Sequence, residues 1–398
     1  MKVVVAIDSL KGSLTSLEAG EAIREGILLA VPDADVVVRP LADGGEGTVE
    51  ALTLGMNGRY EKITVTGPLG NPIDAVYGIL ENNHTAILEM SAAAGITLVD
   101  DRDRNPLNTT TYGVGEMIRD AIDQGCRHFI IGIGGSATND GGIGMLQALG
   151  YEMLDQYGKQ VPFGAKGLAK LVTISDEHVI PELRECTFEV ACDVKNPLCG
   201  EQGCSVVFGP QKGATPEMIV QMDDWLRKYA KLTAGQHVQA DMNQPGTGAA
   251  GGMGFAFLSY LNAQLRSGVQ IILEETKLEE YIKDADFVIT GEGCLDGQSI
   301  MGKAPIGVAK LAKKHHKKVL AFAGCVTTDA RLCNQNGIDV FFPILRNVVT
   351  LEEAMKPENA KKNMIETVEQ VFRMIQTSLN LNRWVKLKTK CNTVNDKK

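Results

Sequence analysis

The sequence predicts an α/β protein in which a parallel-sheet domain, built from both ends of the chain, carries a second α/β domain inserted into it. Three observations point there. Short apolar runs alternate with helical patterns near both ends, which is how the strands and crossover helices of a parallel sheet read. Between these ends the texture changes to short strands joined by turns. A chain of 398 residues is also long for one compact core, which suggests two or three domains.

Taken in order, Val3–Ile7 reads as a first buried strand, and a helix is expected over 16–30 with Ala19, Ala22, Ile23, Ile27 and Ala30 on one face. Val36–Val38 leads into Ala42-Asp-Gly-Gly-Glu-Gly47 and a helix through Leu54. The runs Lys62–Thr66, Ala75–Leu80 and Thr85–Met90 read as strands, with a turn over 67–72. A helix near 113–124, a buried strand His128–Ile133, a helix beyond Gly141 and a strand Thr187–Ala191 follow. The closing pattern sets Phe287–Ile289, Val319–Ala323 and Val340–Phe342 against helices around 305–315 and 358–378. The expected division is 1–62 with 270–380 as the discontinuous outer domain, 63–269 as the inserted one, and 381–398 as a disordered basic tail. From Leu379 onward there are six basic residues against Asp396, which reads either as an anion-binding tail or as a frayed polar terminus.

Composition narrows the function. The chain is 44% hydrophobic and 22% charged, ordinary for a soluble globular protein. A net charge of −9 argues against nucleic acid or an anionic membrane as partner, while leaving room for small anions in a locally basic cleft. No window approaches the roughly 18–20 apolar residues that span a bilayer, and Met1–Asp8 turns acidic too early for a signal peptide. Nine scattered cysteines without a CxxC pair suit a reducing cytosol, so a cytoplasmic protein is expected; its oligomeric state, monomer or homodimer, is left open by the sequence. Cys192, Cys199 and Cys204 come nearest to a metal-like group but lack matching histidines.

The chemistry concentrates in loops. Thr290-Gly-Glu-Gly-Cys-Leu-Asp-Gly-Gln-Ser-Ile-Met-Gly-Lys303 follows the apolar run ending at Ile289, so Glu292, Asp296, four glycines and Lys303 should lie at the carboxyl end of a strand. Ligands of open α/β sheets bind there. Carboxylates at such a place hold a divalent metal, and glycine backbone with lysine holds phosphate. Gly134-Gly-Ser-Ala-Thr-Asn-Asp-Gly-Gly142 joins a buried strand to a helix and offers free N–H groups beside Ser136, Thr138 and Asn139 to an anionic oxygen. Asp43 and Glu46 follow a strand, either as site carboxylates or with one as a helix cap. Lys11, Lys212 and Lys303 sit in glycine or turn contexts, as solvent-facing lysines or as a phosphate or carboxylate clamp. All six histidines lie outside the glycine-rich loops, so a carboxylate must serve if a hydroxyl is activated. Asp193, after the strand Thr187–Ala191, is the candidate, with an Asx turn before Pro197 as its plainer role.

Three glycine fingerprints fail in context. Gly246-x-Gly248-x-x-Gly251 follows a polar stretch and not a strand. Gly132-x-Gly134-x-x-Ala137 follows a strand but runs into a polar loop suited to direct ligand contact. Gly297-x4-Gly302-Lys303 resembles a Walker loop, yet Ala304 stands where Ser or Thr would hold magnesium.

Together these loops resemble one family. Asp8-Ser-Leu-Lys-Gly-Ser13, Asp43–Gly47, Gly134–Gly142, Asp193-Val-Lys-Asn-Pro-Leu198, Phe208–Ala214, Gly248–Gly252 and the 290–305 stretch are similar, in order across about 1–378, to glycerate kinases of the two-domain bacterial type, distinct from the P-loop type of plants. The resemblance implies a Rossmann-like domain, a second α/β domain and an interdomain cleft. It implies phosphorylation of D-glycerate by ATP with Mg2+, most often to 2-phosphoglycerate. On this reading Asp193, Lys11 and Lys212 are catalytic. Ser13, Gly134, Gly135, Ser136, Thr138, Asn139, Asp140, Gly293, Gln298 and Lys303 bind substrate or phosphate, and Glu292, Asp296 and Asp43 hold the metal, with the ribose side of the nucleotide as the other role for Glu292 and Asp296. Cys294 stands where the family usually has Arg. The alternatives are a nucleotide-dependent hydroxy-acid oxidoreductase and a catalytically weak ligand sensor.

Overall fold

The computed structural model describes every residue except Glu46, Asn82, Asn83 and 396–398, with side chains through residue 378. Its strands in chain order are β1 (Lys2–Val5), β2 (Asp35–Val38), β3 (Arg59–Thr66), β4 (Pro72–Leu80), β5 (Thr85–Glu89), β6 (His128–Gly132), β7 (Glu152–Leu154), β8 (Thr173–Ser175), β9 (Thr187–Ala191), β10 (Gln264–Arg266), β11 (Phe287–Leu295), β12 (Lys318–Val326) and β13 (Val340–Pro343). The chain divides into two compact units, Met1–Leu41 with Leu273–Lys398, and Ala42–Ile272. The sequence placed 42–62 with the outer unit. In the structure β3 pairs with β4 over its whole length, which ties this segment to the inner one.

The outer unit is a parallel sheet in the order β13-β12-β11-β1-β2. Val3 and Val5 of β1, Ile289 and Phe322 bury against Ile23 and Ile27 of the helix Ser16–Ala30 and against Met364, Val368 and Phe372 of the final helix, Pro357–Asn395. That final helix enters the stretch expected as a disordered tail; the tail's side chains and residues 396–398 lie outside the described residues. The first helix starts at Ser16 because Thr15 and Glu18 form a reciprocal capping box, with Glu18 N–H donating to Thr15 Oγ1 and Thr15 N–H to Glu18 Oε2. Strand order reverses between β1 and β11, which makes the carboxyl ends of these two strands the ligand crevice of such a sheet.

β11 is longer than its apolar run. Thr290–Leu295 pairs in parallel with Ala321–Val326, so Glu292 and Cys294 stand on the strand itself. A polar, glycine-rich sequence hides this extension. Gly291 is needed there because an added Cβ would run into the Phe322 carbonyl oxygen.

The inner unit has a mixed sheet in the order β10-β9-β6-β5-β4-β3, parallel from β10 to β5 and antiparallel beyond. Its core joins Phe129, Ile131, Phe188 and Val190 of the central strands to Met117 and Ile118 of the helix Tyr112–Asp123 and to Phe255 and Phe257 of the helix Ala249–Tyr260. Short β7 and β8 form a separate antiparallel pair. Among the described residues no helix is long and apolar enough to cross a membrane.

Candidate active site

In the inner unit, loops after β6 and β9 and the segment around Asp43 enclose a cavity of about 300 Å3. Asp43, Gly134, Gly135, Ser136, Asp193 and Lys212 all line it. The backbone is brought close by glycine: a Cβ on Gly268, just past β10, would collide with the Asp43 carbonyl and lie 2.6 Å from Gly44 Cα.

Lys212 is the decisive side chain. It ends the short turn Pro210–Lys212 and is only 2% exposed. Its Nζ donates to Ser136 Oγ at 2.7 Å and to the Thr138 carbonyl at 2.6 Å, both neutral acceptors. Burial pulls its pKa down to about 8, against partial support from Cys204 and from the Asp140 charge. A buried ammonium held by neutral partners is set to meet an anion. Asp193 sits at the mouth of the same cavity with an open face. Desolvation raises its pKa and the Asp43 charge adds to this, while the Ser267 hydroxyl and Gly268 N–H hold it down.

Asp43 is not a helix cap. Its Oδ1 accepts from Gly45 N–H at 2.9 Å, and the helix Thr48–Gly55 begins at Gly47 with no side-chain cap. Glu46 lies outside the described residues.

The neighbouring residues of the glycine loop turn inward. Asp140 is fully buried and accepts from Thr111 N–H and Oγ1, each at 2.9 Å, and from Gly142 N–H at 3.0 Å. Asn139 Nδ2 donates to Ser205 Oγ at 2.9 Å, and Thr138 contributes its carbonyl to Lys212 while its hydroxyl is buried without a partner. The sequence treated all three as ligand contacts. All three are buried, while Ser136 and the Thr138 carbonyl of the same loop meet Lys212.

In the outer unit, Glu292, Asp296, Ser299 and Lys303 form one network. Ser299 Oγ donates to Glu292 Oε1 at 2.6 Å and approaches Asp296 Oδ1 at 3.3 Å. Lys303 Nζ lies 3.1 Å from Glu292 Oε2 and 3.8 Å from Asp296 Oδ1. Burial lowers the Lys303 pKa, but Glu292 and Asp296 outweigh it and hold the ammonium above its ordinary range. Lys303 immediately precedes the helix Ala304–Lys314, so the Walker-like Gly302-Lys303 does open a helix, with its lysine turned onto carboxylates.

The Gln298 and Ser299 N–H groups both donate to Asp296 Oδ1, at 2.8 and 3.0 Å, while the Gln298 side chain is exposed. Gly293 lies against the Asp8–Ser13 loop: a Cβ there would be 3.6 Å from the Lys11 nitrogen. Lys11 itself is exposed, and Ser13 Oγ is buried without a hydrogen-bond partner. Two oxygen-donor carboxylates that reach one ammonium are near enough to share one cation, and that hard donor set suits magnesium. Asp43, expected with them as a metal ligand, lines the inner cavity beside Asp193.

Comparison with known proteins gives this geometry a family. The model of the glycerate kinase family matches residues 3–376. The chain belongs to the glycerate kinase family. It is 49% identical to glycerate kinase of Haemophilus influenzae, over 94% of this chain and 99% of that one. With glycerate 2-kinase of Escherichia coli K12 it shares 48% identity over 89% and 93%. A crystal structure from Salmonella typhimurium LT2, provisionally named glycerate kinase 2, superposes with a TM-score of 0.89 at 46% identity, covering 96% of this chain and 99% of that one.

Membership of this kinase family makes the chain an enzyme, a phosphotransferase, on a mixed α/β fold with mostly parallel sheets. The glycine run that favoured an oxidoreductase has another use: Gly251 packs so closely on the loop that a Cβ would strike the Thr138 carbonyl, and its own carbonyl accepts from Gly141 N–H at 2.9 Å. Sequence reasoning missed Ser267 and Gly268, which hold Asp193, and Ser299, which joins the outer carboxylates. Ser299 lay inside the quoted motif. Ser267-Gly268 was detectable only as a small polar pair after a three-residue strand that was not recognised.

Proposed function

We infer that this kinase transfers the γ-phosphoryl group of ATP to D-glycerate, forming 2-phosphoglycerate and ADP. The observation that carries this reading is Lys212, buried in the inner cavity with neutral partners and within the same lining as Asp193. A small anionic alcohol satisfies both: its carboxylate meets the ammonium and its hydroxyl meets the carboxylate. The relatives' names, glycerate kinase and glycerate 2-kinase, support the same acceptor and the secondary hydroxyl.

In this reading Asp193 accepts the hydroxyl proton as the oxygen attacks phosphorus and the bond to the departing ADP breaks. Lys212 and Ser136 fix the acceptor, and Lys303 with the N–H groups around Gly293 meets the nucleotide's phosphates. Glu292 and Asp296 would hold the magnesium that accompanies ATP; when bound, that ion screens phosphate charge. Positioning and charge neutralisation supply most of the acceleration in such a transfer.

The test is ADP release with D-glycerate, L-glycerate and related hydroxy acids, followed by proton-coupled phosphorus NMR of the product. A doublet, from the single hydrogen on the carbon bearing the phosphate, is expected. A triplet would place the phosphate on the primary hydroxyl, and absence of D-glycerate-dependent release would overturn the acceptor.

A further inference from the structure

Cys294 and Cys325 are directly opposed on the neighbouring parallel strands β11 and β12, near the carboxyl end of the ladder, which closes at Leu295 and Val326. Residues in register on neighbouring parallel strands present their side chains to the same face, so the two thiols are neighbours there. In-register residues of adjacent strands are about 5 Å apart at the backbone, inside the Cα separation that disulfides span. Each cysteine follows a glycine, Gly293 and Gly324, so side-chain crowding on the residue before each is low. Cys325 is exposed and Cys294 is half-buried. Of the described cysteines, Cys126, Cys199, Cys204 and Cys333 are buried, and none of them has this arrangement in the ladder.

The pair also has a consequence for the site. Cys294 lies midway between Glu292 and Asp296, and the latter opens the turn that carries Ser299 and Lys303. Drawing the two sulfurs to the bonded separation of about 2.0 Å pulls the ends of β11 and β12 together and shifts both carboxylates.

We propose that Cys294 and Cys325 are a redox modification site, in which hydrogen peroxide closes a disulfide that switches the kinase off. The exposed Cys325 thiol attacks the peroxide, whose O–O bond breaks; Cys325 becomes a sulfenic acid and one water leaves. The Cys294 sulfur then displaces the sulfenic hydroxyl as a second water, forming the S–S bond. Two thiol sulfurs are oxidised by two electrons in all and one peroxide is reduced. A dithiol reductant restores both thiols.

The activity readout rests on the kinase reading, but the bond is read by mass. The full chain is treated with peroxide, free thiols are alkylated, and the non-reduced digest is mapped. A Cys294–Cys325 linked peptide is expected, with ATP turnover lowered on the order of tenfold or more and restored by dithiothreitol. Cys325→Ser should give no linked peptide and a turnover insensitive to peroxide, with Cys294→Ser as a second unlinkable variant. Separate alkylation of both cysteines, sulfinic acid at Cys325 without linkage, or linkage with unchanged turnover would each overturn the proposal. Lack of turnover in the reduced protein would count against the kinase reading and leave the mass readout in force.

Discussion

Lys212 and Lys303 are the same residue in opposite circumstances. In the inner unit Lys212 is buried, bonds only neutral oxygens, and is drawn down to about 8. In the outer unit Lys303 is partly open, lies between two carboxylates, and is held above its ordinary range. Desolvation acts on both; the partners decide the sign. A lysine hydrogen-bonded only to neutral oxygens is prepared for an anion that arrives alone, while a lysine already paired suits a ligand that brings a cation with it. Under the proposed function the two environments take different ligands, the acceptor and the magnesium nucleotide.

The largest effect that would sharpen this contrast is expected at Asp193. Asp193→Asn should lower turnover by about 10²–10⁴-fold, the usual worth of a general base, while leaving nucleotide affinity intact. Loss of both together, or unchanged turnover, would remove it as the base. Lys212→Met comes next, with turnover falling about 10²–10³-fold as a preorganised charge is lost and circular dichroism unchanged. Glu292→Gln should raise the magnesium concentration needed for half-maximal ADP release by about 10–100-fold. An unaltered magnesium requirement would break the outer half of the comparison.

The pH response is smaller and signed. Lys212 must be protonated to hold an anion, and its depressed pKa places the loss of charge near 8. The KM for D-glycerate should thus rise by roughly tenfold per pH unit above that value, with little change below it. For stability the sign is opposite. Because the folded pKa lies below the unfolded one, the buried ammonium disfavours folding at neutral pH, and this is relieved as pH rises from about 8 to the ordinary lysine value of 10.5. The smallest effect is expected for Asp140→Asn. It should cost about 1–3 kcal/mol of stability through lost bonds at Thr111 and Gly142, seen as a lower melting temperature with a modest loss of turnover.

Much of this was legible in the sequence. Apolar periodicity exposed β1, β5, β6, β9, β12 and the flanking helices, because buried parallel strands and amphipathic helices must carry that signal. The second half of β11 was hidden, since Gly291, Glu292 and Cys294 pair as strand without reading as one. Residue chemistry identified the loops but not which way each side chain faces. Ser136 and Asp140 sit in one motif, yet one lines a cavity and the other is sealed inside. The resemblance grouped Asp43 with Glu292 and Asp296 as metal ligands; Asp43 lies in one compact unit and the other two in the other.

The central claim is that Lys212 and Lys303 serve different ligands. Calorimetric titration of the wild type, Lys212→Met and Lys303→Met with D-glycerate, and separately with magnesium and a non-hydrolysable ATP analogue, tests it most directly. The account predicts that Lys212→Met loses D-glycerate binding and keeps the nucleotide, and that Lys303→Met does the reverse. Loss of both ligands in either variant, or the opposite pairing, would contradict it.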